Sequence, residues 1–228
     1  MMALTLHEAN PGHHLQISYS ITSDTPDFRQ KMESSALNKV PFAFPRYTAF
    51  VEGWALYSEF LGEEMKLYRD DYELMGRYSS EMFRACRLVV DTGIHAFSWT
   101  RDEAIDYMLN YTARSYEAVA VEIDRYITWP GQALAYKIGE IKILELRRKA
   151  EEKLGGRFDI REFHSVVLES GTLPLTVLED LVNDWLDSYP EPATPAPGTP
   201  APSTCGAAGL VSSLVWVILG LCALPPVV

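Results

Sequence analysis

Residues 51–69 read VEGWALYSEFLGEEMKLYR, and this stretch decides the fold class. Large apolar side chains recur through it at helical intervals, with charged side chains between them. The apolar set comprises Val51, Trp54, Ala55, Phe60, Leu61 and Leu67. This helical period predicts a helix over these residues, which favours a helical domain around it.

Further helix signals continue along the chain. Thr100 and Glu103 form a capping-box pattern, which predicts the start of a helix. Pro130 predicts the start of another helix, and Gly155 predicts its end. Two more helices are predicted over residues 158–168 and 174–186. Because no Asn-Gly or Asp-Gly hairpin signal separates alternating segments, we predict an all-α domain over residues 1–188.

The composition excludes several classes of protein. The 228 residues carry 31 acidic and 20 basic side chains, a net charge of −11. A nucleic-acid surface needs a basic patch, so no nucleic-acid partner is expected. Cys86, Cys205 and Cys222 are too far apart in sequence for a CxxC metal site or a disulfide framework. The chain is 47% hydrophobic, which rules out wholesale disorder and predicts a buried core.

The composition changes sharply after residue 188. Residues 189–209 are rich in proline, alanine and threonine, which predicts an extended stalk. Residues 210–228 form an uncharged tail long enough to cross a bilayer. Small residues such as Ser203 and Gly206 before such a tail are typical of a glycosylphosphatidylinositol (GPI) anchor signal, with a C-terminal transmembrane helix as the alternative. We therefore expect the tail to contact a membrane.

The expected location is the extracellular face of the cell surface, where Asn110, in an Asn-Tyr-Thr sequon, is a candidate glycosylation site. The N-terminus, MMALTLHEAN, lacks the basic and apolar regions of a secretory signal. Since a surface anchor requires secretion, we expect the chain to be the C-terminal part of a longer precursor. A tail-anchored intracellular protein is the alternative.

Residues 7–14, HEANPGHH, carry the first candidate chemistry. A zinc hydrolase holds its metal with neutral imidazoles and needs a carboxylate to take a proton from the attacking water. The segment does not match the HExxH motif, because Pro11 occupies the position of the second histidine. A Pro-Gly pair can break the helix, however, and such a break can bring His13 close to His7. A His-rich helix end with Glu8 near its N-terminus fits the same residues, so spacing alone leaves both interpretations open.

Residues 52–59, EGWALYSE, supply a candidate third ligand. Glu52, Glu59 and Glu63 lie nearly on one face of the predicted helix. Glu52 precedes a glycine and a tryptophan and is the better candidate, whereas Glu59 and Glu63 are expected to be solvated or to lie behind the ligands. A di-iron helical bundle is excluded because the chain contains no ExxH motif.

Together these motifs resemble the domain of unknown function 885 family, a family of predicted zincin-type metallopeptidases with an HExxPGHH motif. The matching segments are HEANPGHHLQ (7–16), EGWALYSE (52–59), DTGIHAFSW (91–99), EIDRYITWPGQALAYKIG (122–139) and GGRFDIREFHSVVLESGTLPLTVLE (155–179). The resemblance covers residues 3–188 and implies a mainly helical, zincin-like fold similar to carboxypeptidase Taq and angiotensin-converting enzyme. Members of the family are longer, and this chain resembles their C-terminal part.

The resemblance implies a zinc site at the first two motifs. His7 and His13 would bind zinc, and Glu52 would be the third ligand. Glu8 would be the general base that moves a proton from water to the leaving amine. Adjacent residues on a helix point about 100° apart, so His14 is expected to lie beside the site and not to bind the metal.

Other residues of the matching segments are candidates for contacts with the substrate. His95, oriented by Asp91, and Tyr136 would donate hydrogen bonds to the oxyanion, with packing as the alternative role. Lys137 or Arg125 would hold a peptide carboxylate, unless Arg125 is paired within its own helix.

We therefore predict zinc-dependent hydrolysis of peptide bonds at the cell surface, with zinc as cofactor and a peptide as substrate. A catalytically silent, membrane-anchored helical ectodomain that binds a partner is the alternative. The candidate metal helix begins within the first turns of the chain, where contacts are fewest. For that reason we expect residues 1–188 alone to bind zinc weakly and to show little peptidase activity.

Overall fold

A computed structural model describes residues 1–26, 30 and 47–190 of the chain. Within these residues every regular element is a helix and no strand is present, which confirms the all-α prediction. The α-helices are Met2–Glu8 (α1), His13–Thr22 (α2), Thr48–Glu64 (α3), Asp71–Ala96 (α4), Arg101–Tyr111 (α5), Tyr116–Thr128 (α6), Ala135–Leu154 (α7), Ile160–Leu168 (α8) and Leu175–Asp187 (α9), with 3-10 turns at Gln132–Leu134 and Gly155–Arg157.

Helices α3 and α7 pack against each other through two glycines. A Cβ atom on Gly139 would lie 1.8 Å from the carbonyl oxygen of Ala49, and a Cβ atom on Gly53 would lie 2.4 Å from the Cα atom of Gly139. Glycine at both positions therefore lets the two backbones touch. This crossing fixes α3, which carries Glu52, against α7, which carries Tyr136.

Two apolar clusters form the core of the described residues. The first joins α3 and α7 to α8 and α9, and its largest buried side chains include Trp54, Tyr57 and Phe163. The second joins α4, α5 and α6 around Met108 and Ile123. Full burial of one such apolar side chain contributes roughly 1.5–3 kcal/mol, so these clusters hold the helices that carry the candidate residues.

Local sequence explains most helix boundaries. Thr100 caps α5 and forms the predicted capping box with Glu103. Pro130 does not start α7, contrary to the prediction, because Gly131 adopts a left-handed φ of 80° and the chain turns there; α7 begins only at Ala135. Helix α3 ends before the predicted residue 69, since Lys66 just beyond it has a φ of 57°.

The predicted stalk from residue 191 onward and the predicted tail over 210–228 lie outside the described residues, as do Ser203 and Gly206. Within the ranges that are described, no helix combines the length and the apolar character that a membrane span requires. Asn110 is exposed in the last turn of α5.

Candidate metal centre

The HEANPGHH motif breaks into two helices. Helix α1 ends at Glu8 and α2 begins at His13, and the peptide bond between Asn10 and Pro11 is cis. The indole Nε1 of Trp54 donates a 2.8 Å hydrogen bond to the carbonyl oxygen of Pro11, which ties this turn to α3. The break places both histidines of the motif on the side of α3.

Gly12 makes the reversal between the two helices sterically possible. A Cβ atom at this position would lie 1.9 Å from the carbonyl oxygen of His7 and 2.4 Å from that of Leu6. Because both obstacles are backbone atoms of α1, no side-chain rearrangement could relieve the clash. The glycine of the motif therefore permits α2 to start directly against the end of α1.

Three candidate ligands converge beside this turn. The Nε2 atoms of His7 and His13 each lie 3.4 Å from the same oxygen, Oε2 of Glu52. One ligand atom from each of the three residues lies within 4.8 Å of the other two. The two imidazole rings meet edge to face, with centroids 4.9 Å apart. The structure thus brings together the three residues that the sequence predicted as zinc ligands.

A buried carboxylate holds the far side of the His7 ring. Nδ1 of His7 lies 2.8 Å from Oε1 of Glu59, and Oε2 of Glu59 accepts a 2.8 Å hydrogen bond from the hydroxyl of Ser80. The guanidinium of Arg84 lies 3.6 Å from the same carboxylate. A carboxylate at this position accepts a hydrogen bond from Nδ1 of His7, which in the neutral imidazole leaves the lone pair on Nε2.

His13 is arranged in the same way. Its Nδ1 lies 3.3 Å from Oε1 of the buried Gln16, and its Nε2 faces Glu52. When both imidazoles are neutral with hydrogen on Nδ1, two lone pairs and one carboxylate oxygen point at a common space. These three electron-rich atoms repel each other unless a proton or a metal ion lies between them.

A zinc ion fits this donor set. Two imidazoles and one carboxylate are a ligand combination of catalytic zinc sites, which leave one position open. Bonds of about 2.0–2.1 Å in a tetrahedral arrangement place neighbouring ligand atoms about 3.3 Å apart, and both nitrogen-to-oxygen distances here are 3.4 Å. The residues present are therefore compatible with zinc in both chemistry and spacing.

The electrostatics of the cluster favour positive charge. Burial opposes protonation of His7, but hydrogen bonds to Glu52 and Glu59 outweigh burial and raise its pKa. Burial also acts to raise the pKa of Glu52, yet its hydrogen bonds with His13 and His7 prevail and lower that pKa to about 2. The carboxylate therefore stays ionised at neutral pH.

Tyr136 lies beside the cluster. Its ring stacks on the ring of His7, with 6.3 Å between the centroids. Its hydroxyl accepts a 3.5 Å hydrogen bond from Nε2 of Gln132, and its side chain is largely buried. Tyr136 and His95 are the two predicted oxyanion donors. Of these two, Tyr136 is the one that contacts a candidate metal ligand, His7.

The other motif residues near the ligands are solvent-facing. Glu8 is exposed at the last position of α1, directly after the buried His7. His14 is exposed in the first turn of α2, and its carbonyl oxygen accepts a hydrogen bond from Ser18. His14 thus points away from the cluster that contains His13.

His95 and Asp91 take part in contacts between helices. Nε2 of His95 lies 2.9 Å from the carbonyl oxygen of Tyr126, at the end of α6. Asp91 is buried, and its carboxylate accepts the backbone N–H of Gly131 at 3.2 Å. Burial raises the pKa of Asp91, although that hydrogen bond and the proximity of His95 oppose the rise.

The two predicted carboxylate-binding residues have partners within the protein. The ammonium of the buried Lys137 donates to Oε1 of Glu81 at 2.6 Å and also to Glu140. The guanidinium of Arg125 donates to Oε1 of Gln132 at 3.0 Å and lies 3.9 Å from Glu122 on its own helix. Lys137 is thus held in a buried ion triad, whereas Arg125 remains partly exposed.

Sequence reasoning missed most of the support behind His7. Glu59 was considered only as solvated or as lying behind the ligands, and neither Ser80 nor Arg84 was singled out. The spacing of seven residues between Glu52 and Glu59 was the available signal, because it places both carboxylates on one face of α3. No comparable signal in the sequence pointed to the two α4 residues.

Comparisons with other proteins give a family and two similar folds. A family model described as "Bacterial protein of unknown function (DUF885)" matches residues 1–182. The chain is similar to the crystal structure of a putative lipoprotein from Colwellia psychrerythraea, with 47% sequence identity, 82% of this chain covered and a TM-score of 0.74. It is also similar to a putative lipoprotein of unknown function from Shewanella oneidensis, with 25% identity, 79% of this chain covered and a TM-score of 0.66.

The chain spans 30% of the length of the first of these proteins and 31% of the second. No curated protein matches it.

Proposed function

This chain belongs to the DUF885 family, and from the convergence of His7, His13 and Glu52 we propose that it is a zinc-dependent hydrolase of peptide bonds. The observation that carries the proposal is the pair of 3.4 Å distances from one oxygen of Glu52 to the Nε2 atoms of both histidines. The hydrogen-bonded Nδ1 atoms behind them support it, because they fix the tautomers that a metal needs.

The protein residues would hold and orient the metal. His7 and His13 would hold it through Nε2 and Glu52 through Oε2, while the Glu59 carboxylate at Nδ1 would orient the His7 ring. When bound, zinc supplies a Lewis acid that polarises the scissile carbonyl and lowers the pKa of water.

Two further residues would handle the proton and the developing charge. Glu8 follows His7 directly in the motif, and its carboxylate would take the proton of the attacking water and pass it to the leaving amine. Tyr136, stacked beside His7, donates its hydroxyl hydrogen to the oxyanion.

We also propose that the protein is attached to a membrane surface. The two similar solved structures are both described as putative lipoproteins, and residues 210–228 form an uncharged tail. If the attachment is a GPI anchor, phosphatidylinositol-specific phospholipase C releases the protein from cells that express it. If it is a transmembrane helix, the protein is retained after that treatment with its tail intact by mass.

Metal analysis of the full chain tests the hydrolase proposal. We expect about one zinc per chain, bound weakly unless the upstream half of the precursor is restored, with loss of zinc in His13→Ala and in Glu52→Ala, and retention of zinc with loss of peptide hydrolysis in Glu8→Gln. His14→Ala is the matched control, because His14 is the exposed neighbour of His13 and should keep the metal. Loss of zinc in His14→Ala with retention in His13→Ala would contradict the ligand assignment. Absence of zinc binding would favour the alternative of a binding ectodomain.

A further inference from the structure

Three arginines gather beside Tyr136, on the side of the candidate centre formed by α4. The guanidinium carbons of Arg84 and Arg87 lie 5.7 and 4.7 Å from the centroid of the Tyr136 ring. Those of Arg87 and Arg114 lie 4.6 and 3.7 Å from the centroid of the Phe83 ring. Two aromatic rings thus link the three cations to each other and to Tyr136, which itself stacks on His7.

The carboxylates near these cations do not neutralise all three. Arg87 is paired with Glu122 at 2.9 Å and also donates to the hydroxyl of Tyr126. Arg84 has Glu59 at 3.6 Å, but that carboxylate is also hydrogen-bonded to His7. Among the described residues, no carboxylate oxygen lies within ion-pair distance of Arg114. In a chain with a net charge of −11, a local excess of positive charge therefore lies at this place.

Arg114 is arranged so that it can bind an anion. It lies in the loop between α5 and α6 and is exposed to solvent. A guanidinium that covers an aromatic ring uses its flat face for that contact and leaves its N–H edges for a planar, bidentate acceptor. Partial burial, together with Arg84 and Arg87, lowers the pKa of Arg114, although the charge of Glu122 opposes the fall.

We propose that Arg114, with Arg84 and Arg87 beside it, binds a carboxylate of the peptide that occupies the candidate metal centre. Lys137 and Arg125, the residues that the sequence suggested for this role, already contact other side chains of the protein. The inference rests on the proposed hydrolase function and adds a substrate class to it: short peptides with a free C-terminal carboxylate.

The geometry limits the length of the peptide between the two sites. Successive contacts lead from the His7 ring to the rings and guanidinium groups of Tyr136, Arg87, Phe83 and finally Arg114. Taken end to end, these contacts place Arg114 within about 20 Å of His7. That distance corresponds to about six residues of extended chain. A hexapeptide is therefore long enough to reach from the candidate metal centre to Arg114.

Fluorescence anisotropy on the full chain tests this inference without requiring zinc or catalysis. The probes are an acetylated hexapeptide of alternating alanine and glycine, its C-terminal amide, and an amidated hexapeptide with one central aspartate, each with the same neutral fluorophore. Binding is measured with a chelator present. We expect the free acid to bind about fivefold more tightly than the amide, and added salt to reduce that difference.

Arg114→Gln should abolish the preference for the free acid, whereas Arg148→Gln should leave it unchanged. Arg148 is the matched control because it is exposed on α7 and paired only loosely with Glu152, at 3.9 Å. Arg114-dependent binding of the aspartate peptide as tight as that of the free acid would overturn the C-terminal carboxylate as the specific ligand of Arg114.

Equal affinity for acid and amide, an unchanged preference in Arg114→Gln, or no binding of any probe would overturn the inference. Because metal is removed in this experiment, none of these results depends on whether the proposed zinc site exists.

Discussion

The buried His7 and the half-buried His164 flank helix α3, and their surroundings are opposite in character. His7 lies between the carboxylates of Glu52 and Glu59, at 3.4 and 2.8 Å. His164, on α8, meets the edge of Trp54 and has its Nε2 2.9 Å from the hydroxyl of Tyr57. Hydrogen bonds to the carboxylates raise the pKa of the first histidine against the effect of burial. Burial, with a smaller effect of Arg147, lowers the pKa of the second to about 4.

The helical period of α3 accounts for this separation. Positions 52 and 59 are seven residues apart and share one face, whereas positions 54 and 57 lie on another. A single helix thus presents carboxylates to α1 and aromatic rings to α8. Burial alone therefore does not decide whether a histidine can bind a cation. With carboxylates the side chain is prepared to hold a cation, and with aromatic rings and a hydroxyl it remains a neutral packing residue.

The largest effect is expected from a change that displaces α3 itself. In Gly139→Ala the new Cβ atom would meet the carbonyl oxygen of Ala49 at 1.8 Å, so α3 and α7 must separate. We expect the free energy of unfolding to fall by about 3 kcal/mol or more, because backbone atoms cannot give way as a flexible side chain can. Both histidine environments should be perturbed, which denaturant unfolding and the side-chain NMR signals of His7 and His164 would detect.

Gly156→Ala provides the control for this prediction. Nothing lies within 4 Å of a Cβ atom at Gly156, so the same substitution should change stability little. If Gly139→Ala were as stable as the control, the close crossing would not be what holds α3 in place.

A smaller effect is expected from acid at His164. Its pKa is about 4 in the folded protein and about 6.5 in the unfolded chain, so the unfolded state binds the proton more readily. The stabilisation from keeping His164 neutral is fully present above pH 6.5 and is lost progressively as the pH falls towards 4. We expect this residue to account for a loss of about 3 kcal/mol between pH 7 and pH 4.

The measurement is the free energy of unfolding of the wild type and of His164→Gln at both pH values. The variant lacks the titrating group but keeps a polar side chain near Tyr57. Its stability should therefore fall less with acid. Parallel pH profiles for the two proteins would mean that His164 is not kept neutral by its surroundings.

The fold was largely predictable because its signals are local. The helical spacing of apolar residues in 51–69 and the capping box at Thr100 each depend on residues close in sequence, and both predicted helices are present. The wrong prediction for the start of α7 also came from a local signal. Proline at position 130 is a favourable first helical residue, but the left-handed conformation of Gly131 prevents the helix from starting there.

The candidate site was predictable only where its residues lie in motifs. His7, His13 and Glu52 lie in two of the segments that carry the family resemblance, which implied all three as ligands, and the structure places them together. The ion triad of Lys137 with Glu81 and Glu140 could not be predicted, because it joins residues 56 positions apart whose meeting depends on the packing of α4 against α7. Long-range contacts of this kind leave no periodic trace in a single sequence.

The smallest expected effect comes from a substitution that alters the surroundings of His7 and not those of His164. Glu59→Gln removes the charge that faces Nδ1 of His7 and leaves the surroundings of His164 unchanged. An amide can still accept a hydrogen bond but supports an imidazole ligand less strongly, so we expect zinc affinity to fall about 10- to 100-fold while the ligand set stays intact. In the metal-free protein the pKa of His7 should also fall, because the Glu59 carboxylate is one of the groups that raise it.

Glu63→Gln is the matched control, since Glu63 lies one turn further along α3 on the same face and contacts Tyr78 and Arg77, not His7. Zinc competition titration measures the affinity, and NMR titration of the His7 ring measures the pKa without metal. A lowered His7 pKa with unchanged zinc affinity would show that Glu59 acts on the histidine but that His7 does not bind the metal. If Glu59→Gln and Glu63→Gln behaved alike in both measurements, the Glu59 carboxylate would have no part in distinguishing His7 from His164, and Glu52 would have to account for the difference between them.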